Sequence, residues 1–332
     1  MSNLSCVWLL AMFWAEEPNV RRYEFEQTHM GQPIKITLYA PDERIANLGA
    51  DAAYARIAEL DATLSDYKPD SELSKLSATA GNGRAVPLSR DLWTVLDRSQ
   101  SLAEQTGGAF DVTVGPYVRL WRRARRNKEF PSQERLDDAR RAVGYGKLKL
   151  DAAKHTAELA APGMRLDLGG IAVGYAVDEA MAELRKHGIT RALIDASGDM
   201  LVGDPPPGAK GWKIGIAPLD ATGPPSRYLS LRRAAVTTSG DAFQHVVLDG
   251  KRYSHIVDPA TGLGLTDQSS VTVIAGDCTT ADSMATTVSV MGPEKGLKLI
   301  DSTPHAAAYI VRNVDGRIEQ FVSDRFQEYT ER

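Results

Sequence analysis

One segment of the chain spaces a carboxylate and a hydroxyl in a way that suits a bound cation. In the sequence TADSMAT at 280–286, Asp282 and Thr286 stand four residues apart and would share one face of a helix. Oxygen ligands of these types are what Mg²⁺ prefers, with backbone carbonyls, waters and phosphate oxygens completing its shell. The same segment also has the pattern of a helix N-terminus, where Asp282 would only complement the helix dipole. Spacing alone favours this second interpretation.

A glycine pair could form an anion site. The sequence LDLGG at 166–170 precedes an apolar-periodic segment, which predicts a strand at 164–168 and a helix at about 171–187. Free N–H groups at a helix N-terminus attract a phosphate, and glycine lets it approach the backbone. Gly169 and Gly170 could equally serve tight packing alone. Because neither Gly-x-Gly-x-x-Gly nor Gly-x-Ser-x-Gly occurs, a Rossmann-type dinucleotide fold and a hydrolase nucleophile elbow are disfavoured.

Three further segments carry polar residues where turns are predicted. His255, in YSHIVDPATG at 253–262, could shuttle a proton beside a phosphate, although a lone histidine is more often a structural hydrogen-bonding group. In GGAFDVTVGP at 107–116, Asp111 and Thr113 alternate with apolar residues, and Phe110 could pack on a planar ligand. The segment VTTSGD at 236–241 is another hydroxyl-rich turn after a strand.

The elements that must position these residues are predicted from periodicity and turn residues. Strands are predicted within 21–40 around a Gly31-Gln32-Pro33 turn, within a hairpin at 147–159, and at 191–194, 212–217, 228–237, 244–248, 253–257, 269–275, 306–312 and 317–321. Helices are predicted at 42–64, 89–105, 134–143, 171–187, 280–291 and 293–300, and a polar loop at 66–76. Hairpins interspersed with helices, without strict βαβ alternation, indicate an α+β fold with a largely antiparallel sheet. We interpret 21–325 as a single composite domain.

The composition excludes several classes of protein. Hydrophobic residues make up 43% and charged residues 25% of the 332, so the chain can form a globular core and is neither disordered nor a polytopic membrane protein. Two cysteines are too few for a disulfide framework or a thiolate zinc site. With 39 Lys+Arg against 43 Asp+Glu, no nucleic-acid partner is expected. The basic run RLWRRARRNK at 119–128 is therefore interpreted as a solvated face, and contact with a membrane surface or an acidic partner is the next possibility.

The first twenty residues are interpreted as a leader. Residues 6–15 (CVWLLAMFWA) are apolar but too few to span a bilayer, and they resemble the core of a secretory signal. The usual basic segment before such a core is absent. The alternatives are a misassigned start codon or a strand that packs on the core. The leader favours an exported protein, periplasmic or associated peripherally with the membrane.

Together, the motifs resemble the ApbE family of FAD:protein FMN transferases. The resemblance runs from about 23 to 321, almost the whole chain after the leader. It rests on Met30-Gly31, SDYKPDSELSKL, GGAFDVTVGP, LDLGGIAVGYAVD, ALIDASGDM, TTSGD, YSHIVDPATG and TADSMATT, in that order. Several motifs in the right order are far more specific than any one of them. The resemblance implies a compact T-fold-like α+β sandwich, often exported and anchored as a lipoprotein.

The resemblance also implies a substrate, a cofactor and a set of site residues. FAD would be the substrate, and its FMN moiety would pass, with Mg²⁺, to a threonine or serine of an acceptor protein, releasing AMP. FAD would be contacted by Met30, Tyr67, Ala109, Phe110, Asp111, Asp167, Val173 and Ile256. Mg²⁺ would be held by the Gly170 carbonyl, Asp282 and Thr286, and His255 is the best candidate for the base that accepts the acceptor's proton.

One residue departs from the family pattern. Val173 stands where the family commonly has lysine, so a cation beside the diphosphate is missing unless another basic residue replaces it. This departure favours one alternative to FMN transfer, FAD binding without catalysis. A second alternative is hydrolysis of FAD to FMN and AMP. No Asp-Gly-x-Thr/Ser-Gly-Ala acceptor motif occurs in the chain, so self-flavinylation is not expected.

Overall fold

A large antiparallel sheet forms the centre of the protein. The computed structural model describes residues 19–220, 223–240 and 244–331. Its strands are β1 Arg21–His29, β2 Gln32–Ala40, β3 Val86–Pro87, β4 Leu148–Asp151, β5 Thr156–Leu159, β6 Ala192–Ala196, β7 Asp199–Val202, β8 Trp212–Ile216, β9 Arg227–Leu231, β10 Ala234–Gly240, β11 His245–Leu248, β12 Lys251–Ser254, β13 Gln268–Ala275, β14 Ala307–Val314 and β15 Arg317–Val322. Eight of them form the main sheet in the order β1-β2-β6-β7-β10-β13-β14-β15.

Helices cover one face of this sheet and extend beyond one side of it. They are α1 Glu43–Leu64, α2 Glu72–Ser77, α3 Arg90–Thr106, α4 Gly115–Asn127, α5 Gln133–Ala142, α6 Ala172–Lys186 and α7 Cys278–Ser302. The largest apolar cluster lies between the sheet and α1, α6 and α7. The β8–β9 hairpin contributes to a cluster on the other face. A third cluster joins α2, α3, β4 and β5, and a fourth joins α4, α5 and the β11–β12 hairpin. The predicted α+β fold with a largely antiparallel sheet is confirmed.

Local sequence signals correctly predicted where several helices begin or end. Asp42 accepts a hydrogen bond from the Ile45 N–H and caps α1. Gly107 ends α3 in the left-handed conformation at φ 60°. The predicted helices at 280–291 and 293–300 are the two parts of α7, which is kinked at Gly292 because this residue has a non-helical φ of 75° and Pro293 follows it.

Several predicted elements differ from the structure. The single strand predicted at 228–237 is divided between β9 and β10, and α4 is not among the predicted helices. The segment at 164–168 is not a strand. Its buried Met164, Leu166 and Leu168 produce the alternating pattern, yet its ladder contact is a single parallel bridge between Val114 and Arg165. The predicted loop at 66–76 contains the start of α2, because Ser71 caps this helix by accepting from the Ser74 N–H.

The first turn lies one residue earlier than predicted. Met30 and Gly31 connect β1 to β2 with φ of 51° and 77°, the positive values that a two-residue hairpin turn of type I′ requires at both positions. Glycine accommodates such a value without strain, whereas Met30 adopts it less readily. The turn brings Met30 to the wall of the candidate site described below.

The amino-terminal leader prediction falls outside the described structure. Residues 1–18 are not described, nor is Asp241. The rest of the segment predicted as a hydroxyl-rich turn, 236–240, is not a turn but belongs to strand β10. Among the residues that are described, no helix combines the length and apolar character needed to cross a bilayer. The export prediction is therefore not tested by the fold.

Candidate active site

The predicted site residues line two adjoining cavities. The aromatic cavity, of about 320 Å³, is lined by Met30, Tyr67, Ala109, Phe110, Asp111, Asp167, Gly170, Val173, His255, Ile256 and Thr286. The sheet cavity, of about 380 Å³, lies along β10 and β13 and is lined by Asp282. Gly169, Gln244, His255 and Thr286 line both cavities. The residues predicted to hold a cation therefore lie where the two cavities meet.

The candidate cation site is formed by the starts of α6 and α7. Gly170 approaches Thr286 so closely that a Cβ on Gly170 would lie 2.8 Å from the threonine Oγ1. Gly174 approaches α7 in the same way, because its Cβ would lie 2.4 Å from the Cys278 carbonyl oxygen. The Gly174 N–H donates to Asp282 Oδ2 at 3.1 Å. The glycines thus let α6 and α7 pack closely enough to bring Gly170, Asp282 and Thr286 together.

A partly buried carboxylate fixes this helix pair. Asp178 on α6 accepts hydrogen bonds from the Cys278 N–H at 2.7 Å, from the Thr279 N–H at 2.9 Å and from the Thr279 hydroxyl. Burial raises its pKa, and these donors oppose that shift. Asp277, by contrast, caps α7 by accepting from the Thr280 N–H. Asp282 is therefore not the N-cap, which removes the main reason to interpret it as a capping residue.

The pKa of the Asp282 carboxyl is strongly raised by its surroundings. The residue is 4% exposed, and burial, with the Asp199 carboxylate nearby, raises its pKa well above the ordinary value. A buried carboxylate with another acid beside it is stabilised by a cation. Within the described ranges, no group of three or more His, Cys, Asp or Glu side chains could hold a metal ion. The ligands predicted from the sequence are one carboxylate, one carbonyl and one hydroxyl, a set that suits Mg²⁺ when a ligand's phosphate oxygens complete it.

The turn before α4 forms one wall of the aromatic cavity. The Asp111 carboxylate is buried and accepts from the Thr113 N–H at 2.8 Å and the Thr113 hydroxyl at 2.7 Å. Burial raises the pKa of Asp111, and the threonine donors oppose the shift. Phe110 is also buried. The turn therefore presents a rigid, apolar and acidic wall to the cavity.

An ion-pair cluster forms a second wall. Arg122 on α4 pairs with Asp66, and its Nη2 donates to Asp167 Oδ2 at 2.8 Å. Its guanidinium carbon lies 4.2 Å from the centre of the Tyr67 ring, within the range of a cation–π contact. Asp167 Oδ1 also accepts from the Gly169 N–H at 2.9 Å. The cluster thereby ties Tyr67 to the glycine corner.

His255 lies at the junction of the cavities. Its Nδ1 is 3.1 Å from the Gln244 carbonyl oxygen, which can only accept, so Nδ1 carries the proton in this hydrogen bond. In the neutral ring, Nε2 then carries the basic lone pair. Among the described residues, this is the one histidine that lines either cavity.

Sequence reasoning missed two arginines of the site. The basic run was interpreted as a solvated face, and this is wrong for Arg122 and Arg125, which are partly buried and line the aromatic cavity. Arg125 has no carboxylate partner in the part of the chain that the structure describes. Burial and the neighbouring Arg122 lower its pKa. The signal available in sequence was only their three-residue spacing on one helix.

A third missed residue is Asp199 at the start of β7. It lines the sheet cavity with Asp282, and burial raises its pKa from 3.8 to about 7. The motif ALIDASGDM contained it, but nothing in the sequence placed it beside Asp282. The two carboxylates together concentrate negative charge at one end of the candidate cation site.

The raised pKa of Asp199 predicts a pH-dependent stability in cation-free protein. Because the folded state holds a proton that the unfolded state releases near pH 4, the free energy of unfolding should fall as pH rises from about 4 through about 7. Urea unfolding in EDTA at several pH values would measure this. Asp199→Asn should flatten the fall, and the surface variant Asp315→Asn should not. An unchanged slope in Asp199→Asn would contradict the assignment.

Comparisons with known proteins agree with this geometry. A sequence model of the ApbE family matches residues 30–310. A FAD:protein FMN transferase of Treponema pallidum is 32% identical over 309 residues, covering 88% of this chain and 85% of the relative. One of Haemophilus influenzae is 31% identical over 284 residues, covering 83% and 82%.

Solved structures are also similar over almost the full length. The ApbE protein of Thermotoga maritima superimposes with a TM-score of 0.82 at 30% identity, covering 94% of this chain and 100% of that chain. The flavin transferase ApbE of Vibrio cholerae superimposes with a TM-score of 0.83 at 27% identity, covering 93% and 99%. The likeness therefore includes the elements that form both cavities.

Proposed function

Because this chain belongs to the ApbE family, we propose that it transfers FMN from FAD to a threonine or serine hydroxyl of an acceptor protein, with Mg²⁺, and releases AMP. The observation that carries the proposal is the junction of the two cavities. There a glycine corner, Asp282, Thr286 and His255 lie together, so a diphosphate, a cation and a base can meet in one place.

The aromatic cavity suits the flat part of the substrate. Phe110 and Tyr67 line the cavity and would pack against an isoalloxazine or adenine ring, and Met30, Val173 and Ile256 add apolar surface. FAD is larger than a cavity of about 320 Å³, and the adjoining sheet cavity gives it further room. The diphosphate between its two halves would then lie near the junction.

The residues around the cation site fit Mg²⁺. The Gly170 carbonyl, Asp282 and Thr286 would hold it, and the bound ion would neutralise charge on the diphosphate as the phosphorus is attacked. Asp282 must be ionised for this. Asp178 keeps the N-terminal turn of α7 fixed against α6, so the ligands from the two elements stay in place.

His255 is proposed as the base. The acceptor's O–H oxygen forms a bond to the phosphorus of the FMN half, the bond from that phosphorus to the bridging oxygen breaks, and AMP leaves with that oxygen. The acceptor's proton passes to His255 Nε2, because Nδ1 already donates to the Gln244 carbonyl. Phosphoryl-type transfer otherwise depends mainly on positioning and charge neutralisation.

We propose that Arg125 supplies the positive charge that is missing because Val173 stands where the family commonly has lysine. Its partly buried guanidinium lines the aromatic cavity and has no carboxylate partner in the described ranges, so an anionic group of the substrate can pair with it. Arg122, by contrast, is already paired with Asp66 and Asp167.

Arg125→Gln should therefore raise KM for FAD by about tenfold to a hundredfold, the effect of losing one charge-assisted contact. Steady-state kinetics with FAD as the varied substrate would measure it. Arg126→Gln, one residue along the same helix but exposed, is the matched control and should leave KM for FAD unchanged. Equal effects of the two variants would contradict the role given to Arg125.

Export and peripheral membrane association remain predictions from the apolar leader. Cell fractionation of the full chain, with the amino terminus of the mature protein determined by mass spectrometry, tests them. Recovery in the cytoplasm with an intact amino terminus would contradict export.

The proposed activity is tested by incubating the protein with FAD, Mg²⁺ and a synthetic peptide carrying Asp-Gly-x-Thr-Gly-Ala. We expect the peptide to gain the mass of one FMN in phosphoester linkage, with one AMP released for each. Release of AMP and free FMN without any gain on the peptide would instead indicate hydrolysis of FAD.

A further inference from the structure

A groove rich in arginine adjoins the aromatic cavity. It has a volume of about 920 Å³ and shares Asp66, Tyr67 and Arg122 with that cavity. We call this cavity the arginine groove, because five further arginines line it: Arg119, Arg123, Arg126, Arg135 and Arg165. The groove is larger than either cavity of the active site, and Tyr67 and Arg122 separate it from the proposed position of FAD.

The positive charge of the arginine groove is not balanced by the groove's own acids. Two carboxylates line it, and both are already paired: Asp66 with Arg122, and Asp138 with Arg141. None of the five arginines has an ion pair or hydrogen bond to a carboxylate in the ranges that the structure describes. Six arginines and two carboxylates line the groove in all, so its lining carries a net excess of four positive charges.

The arrangement of these charges opposes the stability of the helix that carries most of them. Arg119, Arg123 and Arg126 share one face of α4 at four- and three-residue spacing, where like charges repel. Arg165 approaches the same helix, and burial together with Arg119 lowers its pKa. An anionic group bound in the groove would relieve this repulsion.

The shape of the groove favours a protein segment as the occupant. Leu120, Ala139, Ala142 and Pro116 give it an apolar floor between the guanidinium groups. Guanidinium groups pair with carboxylates through two parallel hydrogen bonds, and the side chains of an extended acidic segment could make several such pairs. A membrane surface is flat and would meet a convex basic surface more readily than a concave one.

We propose that the arginine groove is the docking site for an acidic segment of the acceptor protein. The inference rests on the proposed function, because it places the acceptor beside bound FAD. A segment in the groove would pass Tyr67 and Arg122 and bring a nearby hydroxyl toward the junction of the cavities. The groove would then select the acceptor by charge, whereas the junction performs the transfer.

The test uses a groove variant and a matched control. Arg119→Glu, Arg123→Glu and Arg126→Glu are combined, since all three side chains are exposed. The control combines Arg44→Glu, Arg232→Glu and Arg317→Glu, three exposed arginines outside the groove, with the same change of net charge. FAD binding by both proteins, followed by flavin fluorescence, should match that of the unaltered protein and shows that they are folded.

The probes are fluorescent peptides with one acceptor sequence, Asp-Gly-x-Thr-Gly-Ala, extended at either end by a glutamate-rich or a glutamine-rich tail. We expect the unaltered, FAD-loaded protein to bind the glutamate-tailed peptide at least about tenfold more tightly by anisotropy, and less so as salt is raised. The groove variant should lose this preference and the control should keep it. In the transfer assay, KM for the glutamate-tailed peptide should rise only in the groove variant.

Three outcomes would overturn the proposal. The first is no preference for the glutamate-rich tail, and the second is an equal loss of that preference in the control. The third is a groove variant that keeps its preference for the glutamate-tailed peptide but no longer binds vesicles of phosphatidylglycerol and phosphatidylcholine. The last would assign the groove to a membrane. Failure of the proposed function is distinguishable, because it would appear as no mass gain on any peptide, whereas the anisotropy titration reports docking without transfer.

Discussion

Asp282→Asn should lower the rate of FMN transfer about a thousandfold and remove its dependence on Mg²⁺. The asparagine oxygen can still accept from the Gly174 N–H, so the contact between α6 and α7 is kept. The negative charge that would hold the cation is lost, and a divalent cation contributes several kcal/mol to stabilising a transition state of this kind. Initial rates measured against Mg²⁺ concentration give the result directly.

A neighbouring carboxylate supplies the control for this experiment. Asp277 caps the same helix, lies five residues earlier and is more exposed, and asparagine caps a helix as well as aspartate does. Asp277→Asn should keep at least half of the activity and the full response to Mg²⁺. Full activity of Asp282→Asn at low Mg²⁺ would show that the cation, if needed, binds elsewhere.

His255→Ala should slow transfer by about a hundredfold to ten-thousandfold while leaving FAD affinity within about twofold. This range is what removing a general base does to a proton transfer. In the proposed mechanism, the imidazole accepts a proton and does not hold the flavin. Stopped-flow measurement of the transfer step, with FAD affinity from flavin fluorescence, separates the two effects.

His187→Ala is the matched control for the loss of an imidazole. His187 is exposed at the end of α6 and lines neither cavity, so the rate should not change. Added imidazole should restore part of the rate of His255→Ala and have no effect on His187→Ala. A loss of FAD affinity equal to the loss of rate would instead make His255 a binding residue.

Local signals in the sequence were sufficient for most of the elements. Asp42 caps α1 by a hydrogen bond three residues away, and Gly107 ends α3 by its own conformation, so neither depends on distant contacts. The strand at 164–168 was mispredicted for the opposite reason. Its alternating apolar residues are buried, but a strand also needs a neighbour to pair with, and the packing of α4 leaves it a single bridge.

The same distinction explains what was missed in the site. The partners of Arg122 lie 56 and 45 residues away, so the sequence around it showed only a run rich in basic residues, which indicates a solvated face. Asp199 and Asp282 come from β7 and α7 and meet only through the packing of the helix on the sheet. The residues named from motifs did come together at two adjoining cavities, although their individual roles remain predictions.

The fate of FAD's two phosphates distinguishes FMN transfer from its alternatives, and mass spectrometry of one reaction mixture follows both. With protein, FAD, Mg²⁺ and acceptor peptide, the proposed function predicts that each AMP released is matched by one peptide bearing FMN, and that EDTA stops both. AMP released with free FMN at the same rate whether or not peptide is present, or FAD bound tightly with no AMP formed, would contradict it.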